Sequence, residues 1–436
     1  MSGSGIEHLR EDGDLVLSRN AADFGRTPVL TLTPAFERPV PGSLLRLEHE
    51  YSLRHELDPA WAARPFALVR DQGRMTLLLE DPGGEPLARL LGRPMEPAAF
   101  LRIGIGLAAA LGRLHERGLI HKDVKPANFL VDAANGAAWL TGFGVASRLP
   151  RERPAPEPPE VIAGTLAYMA PEQTGRMNRS VDSRSDLYAL GVTFYEMLTG
   201  VLPFTATDSM EWVHCQIARQ PVPPRERVAT VPAALSAVVM KLLAKRAEDR
   251  YQTAAGVEAD LRRCLREWEN DGNIEPFPLG ARDVPDRLVI PEALYGRDGE
   301  TRLLVAAFEE VVESGTPRLV LVSGYSGIGK SSVVNELHKA LVPPKGLFAS
   351  GKFDQYKRDI PYATLAQAFQ SLIRPMLGMR ESELGPWRDA IQKALGPNGQ
   401  LIVALVPEVE LIIGPQPKVP DLPAQDAQNR FQMVFR

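Results

Sequence analysis

Lysine is scarce in this chain and unevenly placed. Only 11 of the 50 basic residues are lysine, and none precedes Lys122. Any basic side chain needed in the first 121 residues must therefore be arginine or histidine. Cysteine is nearly absent: Cys215 and Cys264 exclude a disulfide framework and match no metal-site spacing. Both fall on helical patterns and are expected as small buried residues. No apolar run reaches 18 residues, which excludes a transmembrane helix. Residues 1–14 lack the apolar segment of a secretory signal. An excess of charge of one sign is missing too. With 50 basic against 54 acidic residues and a net charge of −4, the chain lacks the polybasic profile of a nucleic-acid or membrane-surface protein. A cytoplasmic protein with no nucleic-acid partner and no membrane span is the expectation.

What is present suits a multidomain globular protein. At about 150 residues per domain, 436 residues imply two or three domains. A hydrophobic content of 44% suffices for full-sized cores. The 38 prolines, roughly 9% against an average of about 5%, predict frequent loops. Residues 11–36 read as short extended pieces, 43–57 as a helix, and 66–70 with 75–80 as a hairpin. From Pro97 the spacing of Phe100, Ile103, Leu107, Leu111 and Leu114 predicts a helix ended by Gly118. A second helix is predicted over 184–199, closed by Gly200. Residues 269–291 hold Asn-Asp-Gly-Asn and four prolines and read as a linker. Beyond it, strands at 318–323 and 346–351 flank a helix at 330–341, an α/β pattern.

His121-Lys122-Asp123-Val124-Lys125-Pro126-Ala127-Asn128 places a carboxylate, a cation and an amide on one short loop. Asp123 could accept a hydroxyl proton, Lys125 could neutralise a phosphoryl group in transfer, and Asn128 could hold Mg2+. Phosphoryl transfer needs mainly such positioning and charge. Four further motifs follow in order: Gly142-Phe143-Gly144; Gly164 through Ala170-Pro171-Glu172; Asp186-Leu187-Tyr188-Ala189-Leu190-Gly191; and Arg250 in Glu248-Asp249-Arg250-Tyr251. Together, over roughly residues 11–268, these resemble the Ser/Thr protein-kinase family. The resemblance implies that Asp186 anchors the catalytic loop and that Arg250 pairs with Glu172. The His-Lys-Asp variant and the stretch Pro171 to Arg179 are similar to those of very large bacterial multi-sensor kinases. There a kinase-like domain precedes an ATPase module and, far downstream, a histidine kinase.

Three departures weigh against catalysis. The strand lysine that contacts nucleotide phosphates has no counterpart near residues 29–32. Some arginine could substitute, but the sequence does not say which. The metal-binding aspartate is replaced by Gly142, and the phosphate-covering Gly-x-Gly loop is missing. Glu50, in the place of the helix glutamate that pairs with that lysine, is then expected as a solvated surface charge. Two readings stay open: a degenerate kinase domain that docks a partner, and an active Ser/Thr kinase transferring the ATP γ-phosphate with Asp123 as base.

Gly324-Tyr325-Ser326-Gly327-Ile328-Gly329-Lys330-Ser331 fits the P-loop pattern Gly-x-x-x-x-Gly-Lys-Ser, after a predicted strand and before a predicted helix. Glycines 324, 327 and 329 let backbone N–H groups turn toward phosphates at a helix N-terminus. Lys330 would reach the β/γ-phosphates of ATP, and Ser331 would hold Mg2+. Gly296-Arg297 with Glu300 resembles the entry motif of AAA/STAND-type signalling ATPases, which places Arg297 at the nucleotide pocket. After Ser331 no four-residue apolar run ends in aspartate, so the acidic strand that organises hydrolysis is not found. The expected architecture is an α+β bilobal protein-kinase-like domain at 1–268, a linker at 269–291, and an incomplete α/β P-loop ATPase domain at 292–436. ATP, a protein substrate or signalling partner, and a two-component histidine kinase or response regulator are the implied associates. His49, His55 and His115 are expected as ordinary helix residues, and the arginines of 176–184 as a solvated loop.

Overall fold

The computed structural model describes residues 6–20, 28–36, 39, 41–71, 74–148, 166–174, 180–206, 209–284, 296–325, 328–335, 337, 349, 351, 363–376 and 381–417. The first unit opens with an antiparallel sheet of β1 (Ile6–Asp12), β2 (Leu15–Asn20), β3 (Val29–Pro34), β4 (Pro65–Asp71) and β5 (Arg74–Glu80), in the order β1-β2-β3-β5-β4. Alternation decides which face is buried. Leu30 and Leu32 of β3, with Leu77 and Leu79 of β5, are each at most 1% exposed, while Val29 and Thr31 are only half-buried. Helix α1 (Pro41–Ser52) lies on that face and buries Ser43, Leu47 and Glu50, one stripe at helical spacing. β1 and β2 join through the two residues Gly13 and Asp14, so the loop between them is a tight turn.

A helical lobe follows. Strand β6 (Glu85–Pro86) leads to α2 (Pro97–Glu116), and β6 pairs with β7 (Phe129–Val131), which pairs with β8 (Ala138–Leu140). Helices α3 (Ser183–Thr199), α4 (Ser209–Ile217), α5 (Pro224–Arg227), α6 (Ala233–Leu242) and α7 (Ala254–Asp271) complete the lobe. Among the described residues, α2 is the one helix long and apolar enough to cross a membrane. Its Phe100, Leu107, Leu111 and Leu114 are instead buried in the protein core, where Phe100 meets Phe194 of α3 edge-on at 5.3 Å. Cys215 and Cys264 are buried and free.

Residues 272–284, inside the stretch read as a linker, lie against this lobe. Ile274 is 5% exposed within its core, and Gly280 N–H donates to Asp260 at 2.7 Å. The Asp283 carboxylate accepts from the N–H groups of Gln252 (2.6 Å) and Thr253 (2.9 Å) and from the Thr253 hydroxyl (2.8 Å), at the N-terminus of α7. Charged hydrogen bonds of this kind contribute about 1.5–3 kcal/mol together with the helix-end charge they satisfy. Asp283→Ala is therefore expected to lower the stability of this unit by about 2 kcal/mol in urea unfolding of the whole chain, and Asp283→Asn by less.

The described part of the second unit is helical: α8 (Asp298–Ser314), α9 (Lys330–Asn335), α10 (Ala363–Met376), α11 (Glu381–Leu395), α12 (Gly399–Leu405) and α13 (Glu410–Ile413). Ile373, Val406, Val409 and Ile412 head its apolar cluster. Among the described residues of this unit no strand is formed. Residues 318–323, predicted as a strand, have no ladder partner, and Leu319 and Leu321 are each 84% exposed. A P-loop strand is stable only between neighbours, and most of the second predicted strand, 346–351, lies outside the described residues. Helix 330–341 is described as far as Asn335.

Candidate functional site

The loop between α2 and β7 is built on one buried carboxylate. Asp186, in the first turn of α3 and 0% exposed, accepts from the backbone N–H groups of His121 and Lys122 at 2.8 Å each. His115 Nε2, at the end of α2, is 2.9 Å from the same carboxylate. These bonds hold Lys122 at φ 66, a left-handed backbone rare outside glycine. His121 is buried with Nε2 3.0 Å from Thr141 O, and burial pushes its pKa below the ordinary histidine value, which keeps the ring neutral.

The three expected catalytic residues are brought together. Lys125 Nζ is 3.0 Å from Asp123 Oδ2. Asn128 Nδ2 donates to Asp123 O at 2.6 Å and to Asp123 Oδ2 at 3.0 Å. What this loop faces is a fourth residue. Arg10 of β1 reaches across from the sheet, donating to Asn128 Oδ1, to Ala127 O at 2.7 Å and to Thr141 Oγ1 at 3.1 Å. A β-bulge aims it there: the register steps from His8↔Ser18 to Arg10↔Leu17, leaving Leu9 extra. Without the bulge, Leu9 and Arg10 would point to opposite faces; with it, both turn inward. The sequence left open that some arginine replaces the strand lysine and did not single out Arg10, because the bulge has no residue signature.

Gly142 sits beside this contact. Its φ is 79, and a Cβ built there would lie 2.8 Å from Asn128 Oδ1 and 3.2 Å from the Arg10 guanidinium. The position thus lacks a metal-binding carboxylate and has no room for one while Arg10 is in place. Asn128 Oδ1, the other expected Mg2+ ligand, is already occupied by a cation, so these residues do not fit a bound metal ion. Among the described residues no cluster of three or more His, Cys, Asp or Glu could hold one either.

Glu50 corrects the expectation of a surface charge. It is 1% exposed because α1 turns its 43/47/50 stripe onto the sheet. Burial pushes its carboxyl up to about 7, against the opposing pull of the Arg10 charge and of N–H bonds from Phe143 and Gly142. On β3 the inward positions are Leu30 and Leu32, so the cation nearest this glutamate's role comes from β1 and not from the third strand. His49, also expected as an ordinary residue, bonds Ala146 O through Nε2 at 2.7 Å and fastens α1 to the segment after Gly142-Phe143-Gly144.

Arg250 and Glu172 form the implied pair, as a buried bidentate fork at 2.7 and 2.9 Å, with the Ser185 hydroxyl donating to Glu172 at 2.7 Å. Burial alone would raise the Glu172 pKa; the Arg250 charge and hydrogen bonds outweigh it and hold the carboxyl below its usual range. Gln173 donates to Lys122 O at 2.8 Å and ties this segment to the catalytic loop. Arg184, read as part of a solvated arginine loop, is 6% exposed and paired with Asp182 at 2.7 Å, since it enters α3. Arg176 and Arg179 lie outside the described residues.

In the second unit, Gly324 has φ 155 and Gly329 φ 93. Lys330 Nζ donates to Gly324 O at 2.9 Å and to Tyr325 O at 2.8 Å, folded onto its own loop. Ser331 is exposed, next to Lys330 at the start of α9. Ser326 and Gly327 lie outside the described residues. Gly324, Gly329, Lys330 and Ser331 suit the phosphates of ATP and one Mg2+ ion by residue type. Arg297, expected at the nucleotide pocket, is held by Glu300 at 2.8 Å at the start of α8.

Known families match both parts of the chain. The protein kinase domain family matches residues 46–260, and the AAA ATPase domain family matches residues 293–436. A hybrid signal transduction histidine kinase G from Dictyostelium discoideum is 36% identical over 292 residues, covering 62% of this chain and 8% of its own length. The serine/threonine-protein kinase PknB of Mycobacterium tuberculosis (strain ATCC 25618 / H37Rv) is 40% identical over 168 residues, 38% of this chain and 26% of that protein. Pkn1 of Myxococcus xanthus is 37% identical over 197 residues, 44% of this chain and 28% of that protein. The chain thus spans less than a third of the length of each of these relatives. It carries a bilobal protein kinase domain followed by an AAA ATPase domain.

Proposed function

We propose that the kinase domain is catalytically silent and serves as a signalling platform, while ATP and Mg2+ act on this protein through Lys330 and Ser331 of the ATPase domain. The observation that carries this reading is the Arg10 guanidinium on Asn128 Oδ1 beside Gly142. Each lost preorganised contact to a transferring phosphoryl group costs ~10²–10³ in rate. Losing the strand lysine and the metal carboxylate together costs on the order of 10⁴, if the two effects are independent. A role in signal transduction beside a histidine kinase or response regulator is supported by the similarity to a hybrid histidine kinase. That alignment covers more of the chain than the kinase match alone.

The assembled Asp123, Lys125 and Asn128 favour a second reading, an active Ser/Thr kinase with Asp123 as base. Labelled ATP with Mg2+ separates the two. The full chain is expected to transfer no γ-phosphate to itself or to a generic protein substrate, and Gly142→Asp alone is expected to restore none, because its Cβ meets Asn128. Transfer by the wild type that disappears in Asp123→Asn would overturn the silent reading.

A further inference from the structure

A silent kinase domain can still bind nucleotide, and many sites for adenine survive the loss of catalysis. Three groups of contacts, at three places in this cleft, bear on that. At its phosphate end, Arg10 occupies Asn128 and Thr141, as described. Away from Arg10, Leu130 of β7 joins the same apolar cluster as Leu9, Leu17 and Leu30 of β1, β2 and β3, and is itself 1% exposed. Leu130 belongs to the floor sheet and the other three to the roof, so one apolar cluster spans both sheets. At the mouth, Arg19 of β2 donates to Asp81 at 2.6 Å and to Gly84 O at 2.8 Å, both on the connection between the lobes. Arg89 donates to Glu7 at 2.7 Å and to His8 O, which fastens β1 to the same connection.

We infer that the cleft between the two kinase lobes is filled and stapled shut by this chain's own side chains, with Arg10 as its built-in cation, so that nucleotide reaches this protein only through the ATPase domain. This deepens the silent-kinase reading and rests on it. Arg10 supplies at one point what a strand lysine and a metal ion would supply to a nucleotide: positive charge between Glu50 and Asn128. The turn between β1 and β2 is two residues, Gly13-Asp14, and brings no Gly-x-Gly to the cleft. The domain is thereby held in one closed conformation, fit for docking and not for turnover.

The test uses the full chain carrying Lys330→Ala, which removes the P-loop cation. Titration with a fluorescent ATP analogue and Mg2+ is expected to give no saturable binding below 1 mM by the order-of-magnitude weakness of an occupied site, roughly −4 kcal/mol or less. Saturable binding that an adenine-site kinase inhibitor displaces would overturn the inference, and would do so even if no phosphate is transferred. A second measurement addresses Arg10 itself. In Arg10→Met, amide hydrogen exchange in the segment spanning residues 127–144 is expected to rise about tenfold or more, with the helical lobe's α3 unchanged. Exchange that stays at the wild-type rate would show that Arg10 does not hold the lobes together. If Arg10→Met fails to fold, Arg10→Lys serves: one Arg10 nitrogen reaches all three acceptors, the shorter lysine side chain draws its ammonium back from them, and a smaller rise in the same segment is expected.

Discussion

Arg250→Ala is expected to remove about 5 kcal/mol from the stability of the kinase domain, a loss comparable to the whole stability of many domains. Taking away one partner of a buried ion pair costs about 3–5 kcal/mol, because the other charge stays buried and uncompensated. Here more is lost than the pair. Arg250 Nε also donates to Ala244 O at 2.7 Å, and its two terminal nitrogens donate to Arg184 O at 3.0 Å and Lys245 O at 3.1 Å. Its guanidinium lies 4.9 Å over the Tyr188 ring. Alanine leaves the Glu172 carboxylate with the Ser185 hydroxyl, and leaves three carbonyls without this donor in the core. Glu172→Gln keeps the shape but leaves the buried Arg250 charge without its counter-charge, and is expected to cost about 3–5 kcal/mol as well. The pair is seen in urea or thermal unfolding of the full chain as loss of the kinase-domain transition. A change under 1 kcal/mol in Arg250→Ala would contradict the argument. The same variant carries a second readout. Burial, and after it the Arg250 charge, push the Lys245 ammonium down to about 7. Removing Arg250 should therefore raise the Lys245 pKa wherever the fold survives.

The Glu172–Arg250 pair and the Asp186 anchor were expected from the resemblance to the protein-kinase family, whose motifs these residues match. Asp123, Lys125 and Asn128 stood out from the residues themselves, a carboxylate, a cation and an amide within six residues of chain. Arg10 did not. Its role depends on a strand register that slips by one residue at Leu9, and a one-residue slip decides which face a side chain takes. Glu50 was read as a surface charge because no strand lysine was there to face it; it is buried instead, with the Arg10 charge and the Gly142 and Phe143 N–H groups around it. Residues 272–284 carry the composition of a linker, yet one aspartate and one isoleucine tie them to the helical lobe. In each case the missing information was a tertiary contact between segments far apart in sequence, which periodicity and composition do not encode.

The buried Glu50 makes stability depend on pH in a direction opposite to that of an ion-paired carboxylate. Burial raises its folded pKa to about 7 from the ordinary 4.5 of a solvated glutamate. Below pH 4.5 both the folded and unfolded forms hold the proton, and the contribution is fully present. Between about 4.5 and 7 the unfolded chain has released its proton while the folded chain keeps it, so stability falls as pH rises. At about 1.4 kcal/mol per pKa unit the total is about 3 kcal/mol. Above pH 7 both forms are ionised and the loss is complete. Other groups titrate nearby. Buried His121, with its lowered pKa, contributes in the opposite direction near neutrality, and Glu196, raised by burial, in the same direction. The wild-type curve alone does not isolate one carboxylate, but a difference curve does. Glu50→Gln mimics the protonated side chain and keeps an oxygen to accept the Gly142 and Phe143 N–H groups. Relative to wild type it should be nearly neutral at pH 4.5 and more stable by about 3 kcal/mol at pH 8. A difference that stays flat across this range would mean that Arg10 compensates the buried carboxylate fully, and that Glu50 is ionised in the folded protein throughout.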